Sequence, residues 1–381
     1  MRKSRIVFAA TLVSCPVWIA TSHAQSPFAA TVVGFSPAPG QFVNEPSFND
    51  PDKALGAPSG GGTHNADNTK LVSLGGFGGS ITLKFDHTVW DDPANPRCLD
   101  AIVFGNAYWV GYNSNLHWAE CGYVEISRDL NSNGQADDPW YLIPGSHITD
   151  LEGQWETQTW DDIGDVTHPP DNPNWIPPGC SGTWDTQGYR LPADVFDVPP
   201  LINPNGLEAT EEGIYGYADF TPVLILGDLD ADNTIDDPEM SPEEFYTVPD
   251  DPLEVGITPG SGGGDAFDIA WAIDPATGEP AGLDGFDFIR VTNGVNHVTQ
   301  DVGEVSSEIG GVADVAPGLM GDGDWNGSVD LDDLVIFNDC TTGPDGYLGL
   351  PGCGCRVMDF DGDDDVDLRD FAEWQIAFTA S

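Results

Sequence analysis

The sequence predicts a mainly β protein: a β-sandwich of jelly-roll type over residues 25–317, then a small α-helical, calcium-binding module over 318–381. Three observations carry this. Short apolar stretches broken by Gly, Pro, Asn and Asp fill the large region, with little helical periodicity. Two aspartate-rich twelve-residue loops recur near the end at matching register. Each runs directly into apolar residues at helical spacing.

In residues 80–86, Ile81, Leu83 and Phe85 alternate with Thr82 and Lys84, the pattern of a strand with one buried face. Residues 99–104 and 223–226 are unbroken apolar runs and read as central strands. Residues 123–127 and 287–291 are further strand candidates. Gly75 to Gly79 allow a turn or close backbone approach before the Ile81 strand, and no phosphate-loop pattern follows them. The proline-rich stretches 168–178 and 192–204 read as surface loops, and 313–319 as the hinge into the last module.

Arg2, Lys3 and Arg5 precede the apolar residues 6–20 and the small-residue pattern Ser22-His23-Ala24, a secretory signal peptide over 1–24 cut after Ala24. Leu12-Val13-Ser14-Cys15 leaves lipid anchoring at Cys15 as an alternative. No later run is long and apolar enough to span a bilayer, so the protein is expected to be secreted or held at the cell surface. Cys98, Cys121, Cys180, Cys340, Cys353 and Cys355 then remain, an even set that favours disulfides, with Cys340 paired to Cys353 or Cys355. Acidic residues outnumber basic ones 63 to 12, a net charge of −51, which argues against nucleic-acid binding. It is read as a solvated coat rather than a docking face.

A calcium loop needs oxygen ligands at positions one, three, five and nine, a carboxylate at twelve, and a residue tolerant of positive φ at six. Asp322, Asp324, Asn326, Ser328, Asp330 and Asp333 supply the oxygens of the first loop, with Gly327 sixth. Asp359, Asp361, Asp363, Asp365, Asp367 and Asp370 repeat the set, with Asp364 in place of the glycine. Leu331, Leu334, Val335 and Phe337 follow the first loop, and Leu368, Phe371, Ala372 and Trp374 the second, as matched apolar faces.

This loop-helix duplication, with no helix before either loop, resembles type I dockerins. The resemblance implies two calcium-stapled helices with near two-fold pseudo-symmetry that plug the host into a cohesin-like or other surface protein. In that family, loop positions ten and eleven carry small hydroxyl residues that contact the partner; here they are Leu331-Asp332 and Leu368-Arg369.

Two more loops lie in the large region. Asp228, Asp230, Asp232, Thr234, Asp236 and Glu239 fit the pattern with Asn233 sixth. Asp129, Asn131, Asn133, Gln135 and Asp137 fit its first nine positions, but Trp140 stands twelfth, leaving Asp138 as substitute or the segment as a plain Asn-Gly turn.

The segments 35–42, 72–79, 104–107, 264–270 and 303–309 resemble an uncharacterised family of bacterial secreted or cell-surface proteins, which implies location but no activity. Trp155, Trp160, Trp175 and Trp184 cluster in a loop-rich stretch and suit polysaccharide, whose sugar rings stack on flat aromatic faces. Packing beneath the loops is the alternative. A glycoside hydrolase needs a carboxylate pair, and Glu120, Glu125, Asp161 and Asp162 are available, but none is singled out. No HExxH or Gly-x-Ser-x-Gly pattern occurs, so no catalytic residue is assigned. A purely structural surface protein is the third reading.

Overall fold

The computed structural model describes residues 25–145, 154–160, 184–191, 216–299, 303–344, 354–363 and 365–378. The expectations for residues 1–24, 168–178 and 192–204, and for Trp175, Asp161 and Asp162, fall outside them. The described chain is mainly β, and none of its helices is long and apolar enough to cross a membrane.

A six-stranded antiparallel sheet runs in the order Thr31–Ser36, Ser80–Trp90, Gly285–Asn293, Gly122–Ser127 and Tyr217–Ala218, with Trp140–Ile143 also paired to Gly122–Ser127. Its register explains the sequence pattern. Ile81, Val291 and Val124 lie side by side across three strands, as do Leu83, Ile289 and Ile126, and all six are buried. The alternate set, with Thr82, Arg290 and Glu125 in one row, faces the other way.

A three-stranded sheet places Ala101–Phe104 between Asp265–Phe267 and Gly311–Asp314. Ala101, Val103, Phe267 and Val312 share one core with the buried face of the larger sheet. Ile102 and Phe104 point the other way, into a second cluster with Leu224, Phe245 and Tyr246. Each such aliphatic or aromatic side chain, fully buried, stabilises the fold by roughly 1.5–3 kcal/mol. Gly75, at φ 74°, shows why the glycine run precedes the sheet: a Cβ there would lie 1.9 Å from the Ala38 carbonyl oxygen.

Three expectations need correction. Residues 223–226 form no strand; Val223 bridges Gly263 alone, and Leu224 donates to the Gly262 carbonyl at 2.9 Å. Val223 and Leu224 are buried in one cluster with Ile102 and Phe104 of the three-stranded sheet, so their apolar character reflects packing against that sheet, not a ladder. The full pairing of cysteines fails at Cys121, which is a buried free thiol, whereas Cys340 pairs with Cys355 and Cys98 is also disulfide-bonded.

The third correction concerns the last two helices, α2 and α3. A short helix, α1, spans Pro242–Phe245; α2 spans Leu331–Cys340 and α3 Leu368–Ala377. Phe337 and Trp374 are buried between them, but Leu331, Val335 and Leu368 are 65%, 62% and 82% exposed. The apolar faces are therefore narrower than the spacing suggested. Trp325 and Ala94 join the same cluster, and Gly318 donates to the Ala94 carbonyl, seating the helical pair on the 91–100 loop.

Candidate metal centres and a sheet-face cleft

The loop 322–333 wraps around its own carboxylates. Asp333, in the first turn of α2, accepts through Oδ1 from the backbone N–H of Gly323 (2.8 Å) and Asp324 (3.3 Å), and through Oδ2 from that of Asp330 (2.7 Å). Asp322 accepts from Asn326 and Gly327, and Asn326 from Ser328. Asp330 and Asp333 form a capping box that starts the helix. Oxygens of Asp322, Asp324 and Asp333 consequently lie within 4.8 Å of one another. Burial, with the charges of Asp333 and Asp324 alongside, pushes Asp322 up to about 6.

The second loop repeats this closure. Asp370 accepts from Phe360 (2.8 Å), Asp361 (3.3 Å) and Asp367 (2.8 Å), and Asp359 from Gly362 and Asp363. Asp359, Asp361 and Asp370 converge, as do Asp365, Asp367 and Asp370. Arg369 at position eleven reaches Asp363 (3.2 Å) and Asp361 (3.8 Å) from solvent.

A shared backbone signature links all four loops. The fourth position has positive φ in each: Trp325 (62°), Gly362 (71°), Ala231 (61°) and Ser132 (55°). The sixth does so at Gly327 (84°), Asn233 (67°) and Gly134 (74°), with Asp364 outside the described residues. For Trp, Ala and Ser this conformation costs roughly 1–2 kcal/mol. It turns the following N–H groups toward the first aspartate, as Asn326, Asn133 and Asn233 illustrate. Reading the sixth position alone missed the fourth.

In the loop after Gly227, Asp228 is fully buried; Oδ2 accepts from Asn233 at 3.0 Å, while Oδ1 has no hydrogen-bond partner. An orphaned buried acceptor costs roughly 1–3 kcal/mol. A hard cation would satisfy it, and Asp228, Asp230 and Asp236 have oxygens within 4.8 Å of one another. Asp232 binds the Thr234 N–H, and Glu239 is exposed and outside the group. Asn233 also accepts from the Thr63 N–H at 2.7 Å, tying the loop to a distant segment.

The 129–138 loop is largely exposed. Asp129 accepts from Asn133 and Gly134, and Asn133 from Gln135, while Asn131 donates to Asp137 and Asp138. Asp138 accepts the Leu130 N–H at 3.2 Å, which matches one of the three backbone contacts that Asp333 makes in the first loop.

Two of the proposed ligand-binding tryptophans are placed as side chains. Trp155, 40% exposed, stands edge-on to Tyr123 and Tyr189. Trp184 is half-buried; the backbone of Trp160 pairs with it in the hairpin of Gln154–Trp160 and Trp184–Arg190. Trp155 borders a cleft of about 550 Å³ over the outward face of the large sheet, with Tyr123, Glu125, Gln187 and Arg290. Arg290 pairs with buried Glu125 at 2.7 Å and lies 4.2 Å over the Trp140 ring.

Glu120 is buried as well. Further enclosed acids, Asp100, Asp219, Asp250, Asp265 and Glu308, were not singled out by the sequence. Burial raises Asp100 and Asp265 to about 8 and Asp250 to about 7. Nothing in the sequence marks them among so many acids. Compared with known proteins, the chain matches no family model and no curated protein.

Proposed function

We propose that this is an exported, calcium-binding β-sandwich protein that attaches through a dockerin-like module, residues 318–381, to a cohesin-like or other surface protein. The observation that carries the reading is the duplicated closure: Asp333 and Asp370 each gather the N–H groups of loop positions two, three and nine. Two such frames leave Leu331 and Leu368 exposed at the same loop position, one on each unit. A pair of equivalent apolar contacts beside fixed ions suits recognition of a protein surface. Calcium is the fitting ion because every converging ligand is oxygen.

The test is retention of the full chain on a cohesin-bearing surface, with calcium and with chelator. Calcium-dependent retention that is lost in the double variant Leu331→Ala, Leu368→Ala supports the reading. Retention indifferent to chelation and to both substitutions would overturn it.

A second reading, polysaccharide attachment, is favoured by the cleft beside Trp155. It combines an exposed indole with Arg290, Glu125 and Gln187, an aromatic platform with polar groups at its edge. Trp155→Ala should abolish glycan retention while leaving the sheet intact. Equal retention by the variant would leave the aromatic cluster a packing role only.

A further inference from the structure

His87, on the strand Ser80–Trp90, has a carboxylate against each ring nitrogen: Nδ1 lies 2.8 Å from Asp86 Oδ1 and Nε2 lies 2.8 Å from Asp314 Oδ2. The imidazole is 11% exposed, against 47% for Asp86 and 27% for Asp314, and the Phe85 ring stands edge-on to it. Asp86 is its neighbour on the same strand. Asp314 is 227 residues away and ends the strand Gly311–Asp314, which belongs to the three-stranded sheet. One side chain therefore ties the two sheets together.

The tie falls where the chain leaves for the C-terminal module. Just beyond Asp314, the Val315 N–H donates to the Asp100 carbonyl (3.0 Å) and the Ala316 N–H to that of Thr247 (3.1 Å). His87 and Asp314 border a cleft of about 580 Å³ with Trp90, Ala316 and Pro317, so water reaches the contact and the connector has room to move. Asp92 adds negative charge beside Asp314, and among the described residues no Lys or Arg pairs with Asp86 or Asp314.

We propose that His87 is a pH-sensitive latch on the joint between the large domain and the C-terminal module: protonated, it clamps Asp314 to the large sheet, and deprotonated, it loosens the end of that strand. Ionised carboxylates only accept, so satisfying both requires a proton on each ring nitrogen, and only the imidazolium supplies two. The neutral ring keeps one N–H and turns a lone pair on the other carboxylate. The bond that is kept loses its charge assistance, which roughly halves its strength. Burial disfavours the charge on His87, but the hydrogen bonds and fields of Asp86 and Asp314 outweigh it and hold the imidazole above its ordinary value. Burial also raises Asp314, which the His87 contact opposes. The latch is thus closed between the two titrations. Its contribution to stability, whole just below the ordinary histidine value of about 6.5, is lost as pH rises through the folded one.

The test uses the full chain in constant calcium, with its histidines isotope-labelled and circular dichroism as the check on folding. The imidazole resonance that H87Q removes should titrate above about 6.5, and D314N should bring it down by about one unit, a tenfold change in proton affinity. D86N, at the most exposed of the three groups, is the second variant and should lower the same titration. Amide hydrogen exchange supplies the other readout: protection of residues 312–316, corrected for the intrinsic pH dependence, should fall about tenfold across the His87 titration in the parent and stay flat in D314N. A His87 titration at or below the ordinary value overturns the proposal. So does protection of residues 312–316 that ignores the titration. Should D314N fail to fold, the parent and D86N decide by the same two readouts.

Discussion

The indole N–H of Trp374, on α3, donates to the carbonyl oxygen of Gly321 at 3.2 Å. Gly321 immediately precedes the first aspartate of the first loop, so the helix of one unit is tied to the aspartate loop of the other. Phe371 stacks on Trp374 and Phe337 packs against both. Neither loop-helix unit has a core of its own, and each completes the other's.

Trp374→Phe keeps most of the apolar contact and loses the hydrogen bond. It should destabilise the helical pair by about 1 kcal/mol, and Trp374→Ala by about 3–5 kcal/mol. Denaturant titration followed by far-ultraviolet circular dichroism measures both. Equal effects would mean that the Gly321 contact, not packing, dominates.

The Cys340–Cys355 bridge closes a loop of 15 residues from the end of α2 to the segment before the second aspartate loop. Cys355→Ser should lower the stability of this module by about 3 kcal/mol, the loop-closure entropy returned to the unfolded chain. Limited proteolysis within residues 341–355 should quicken accordingly, and an unchanged rate would contradict it.

Leu331 and Leu368 are mostly in solvent, so replacing both by Ala should change stability by no more than about 0.5 kcal/mol each. Partner retention should nevertheless fall sharply. A large loss of stability would show that these leucines pack in the core instead.

Asp100, Asp250 and Asp265 titrate in the folded chain at about 8, about 7 and about 8, each raised chiefly by burial. Unfolded aspartates titrate near about 3.9. The folded state therefore binds more protons between these values, and the contribution of these groups is fully present below about pH 4 and lost as pH rises through 7 to 8. In chelator, thermal stability of the large domain should fall from pH 5 to pH 8. Asp265→Asn should flatten that fall, and a profile unaltered by the substitution would contradict the assignment.

Sequence legibility followed physical locality. The alternation at Ile81, Leu83 and Phe85 was readable because one face of that strand is buried and the other is not. The run Val223 to Leu226 misled because packing against the side chains of a sheet makes a chain as apolar as a place in the ladder does. Leu331 and Leu368 sit at helical spacing with buried Phe337 and Trp374, yet they point outward, which only the docking of α2 on α3 decides. The closing aspartates Asp333 and Asp370 were legible because each closes a loop of twelve consecutive residues. Glu120 and Glu308 were not, because distant segments bring them together and a chain with 63 acids hides them.

The central claim is that calcium holds the two terminal helices in place, and amide hydrogen exchange of the full chain tests it most directly. With calcium, the amides of Leu331–Cys340 and Leu368–Ala377 should be protected, and chelator should abolish that protection while the strands Ser80–Trp90 and Gly285–Asn293 keep theirs. Equal protection of both helices with and without calcium would contradict the account.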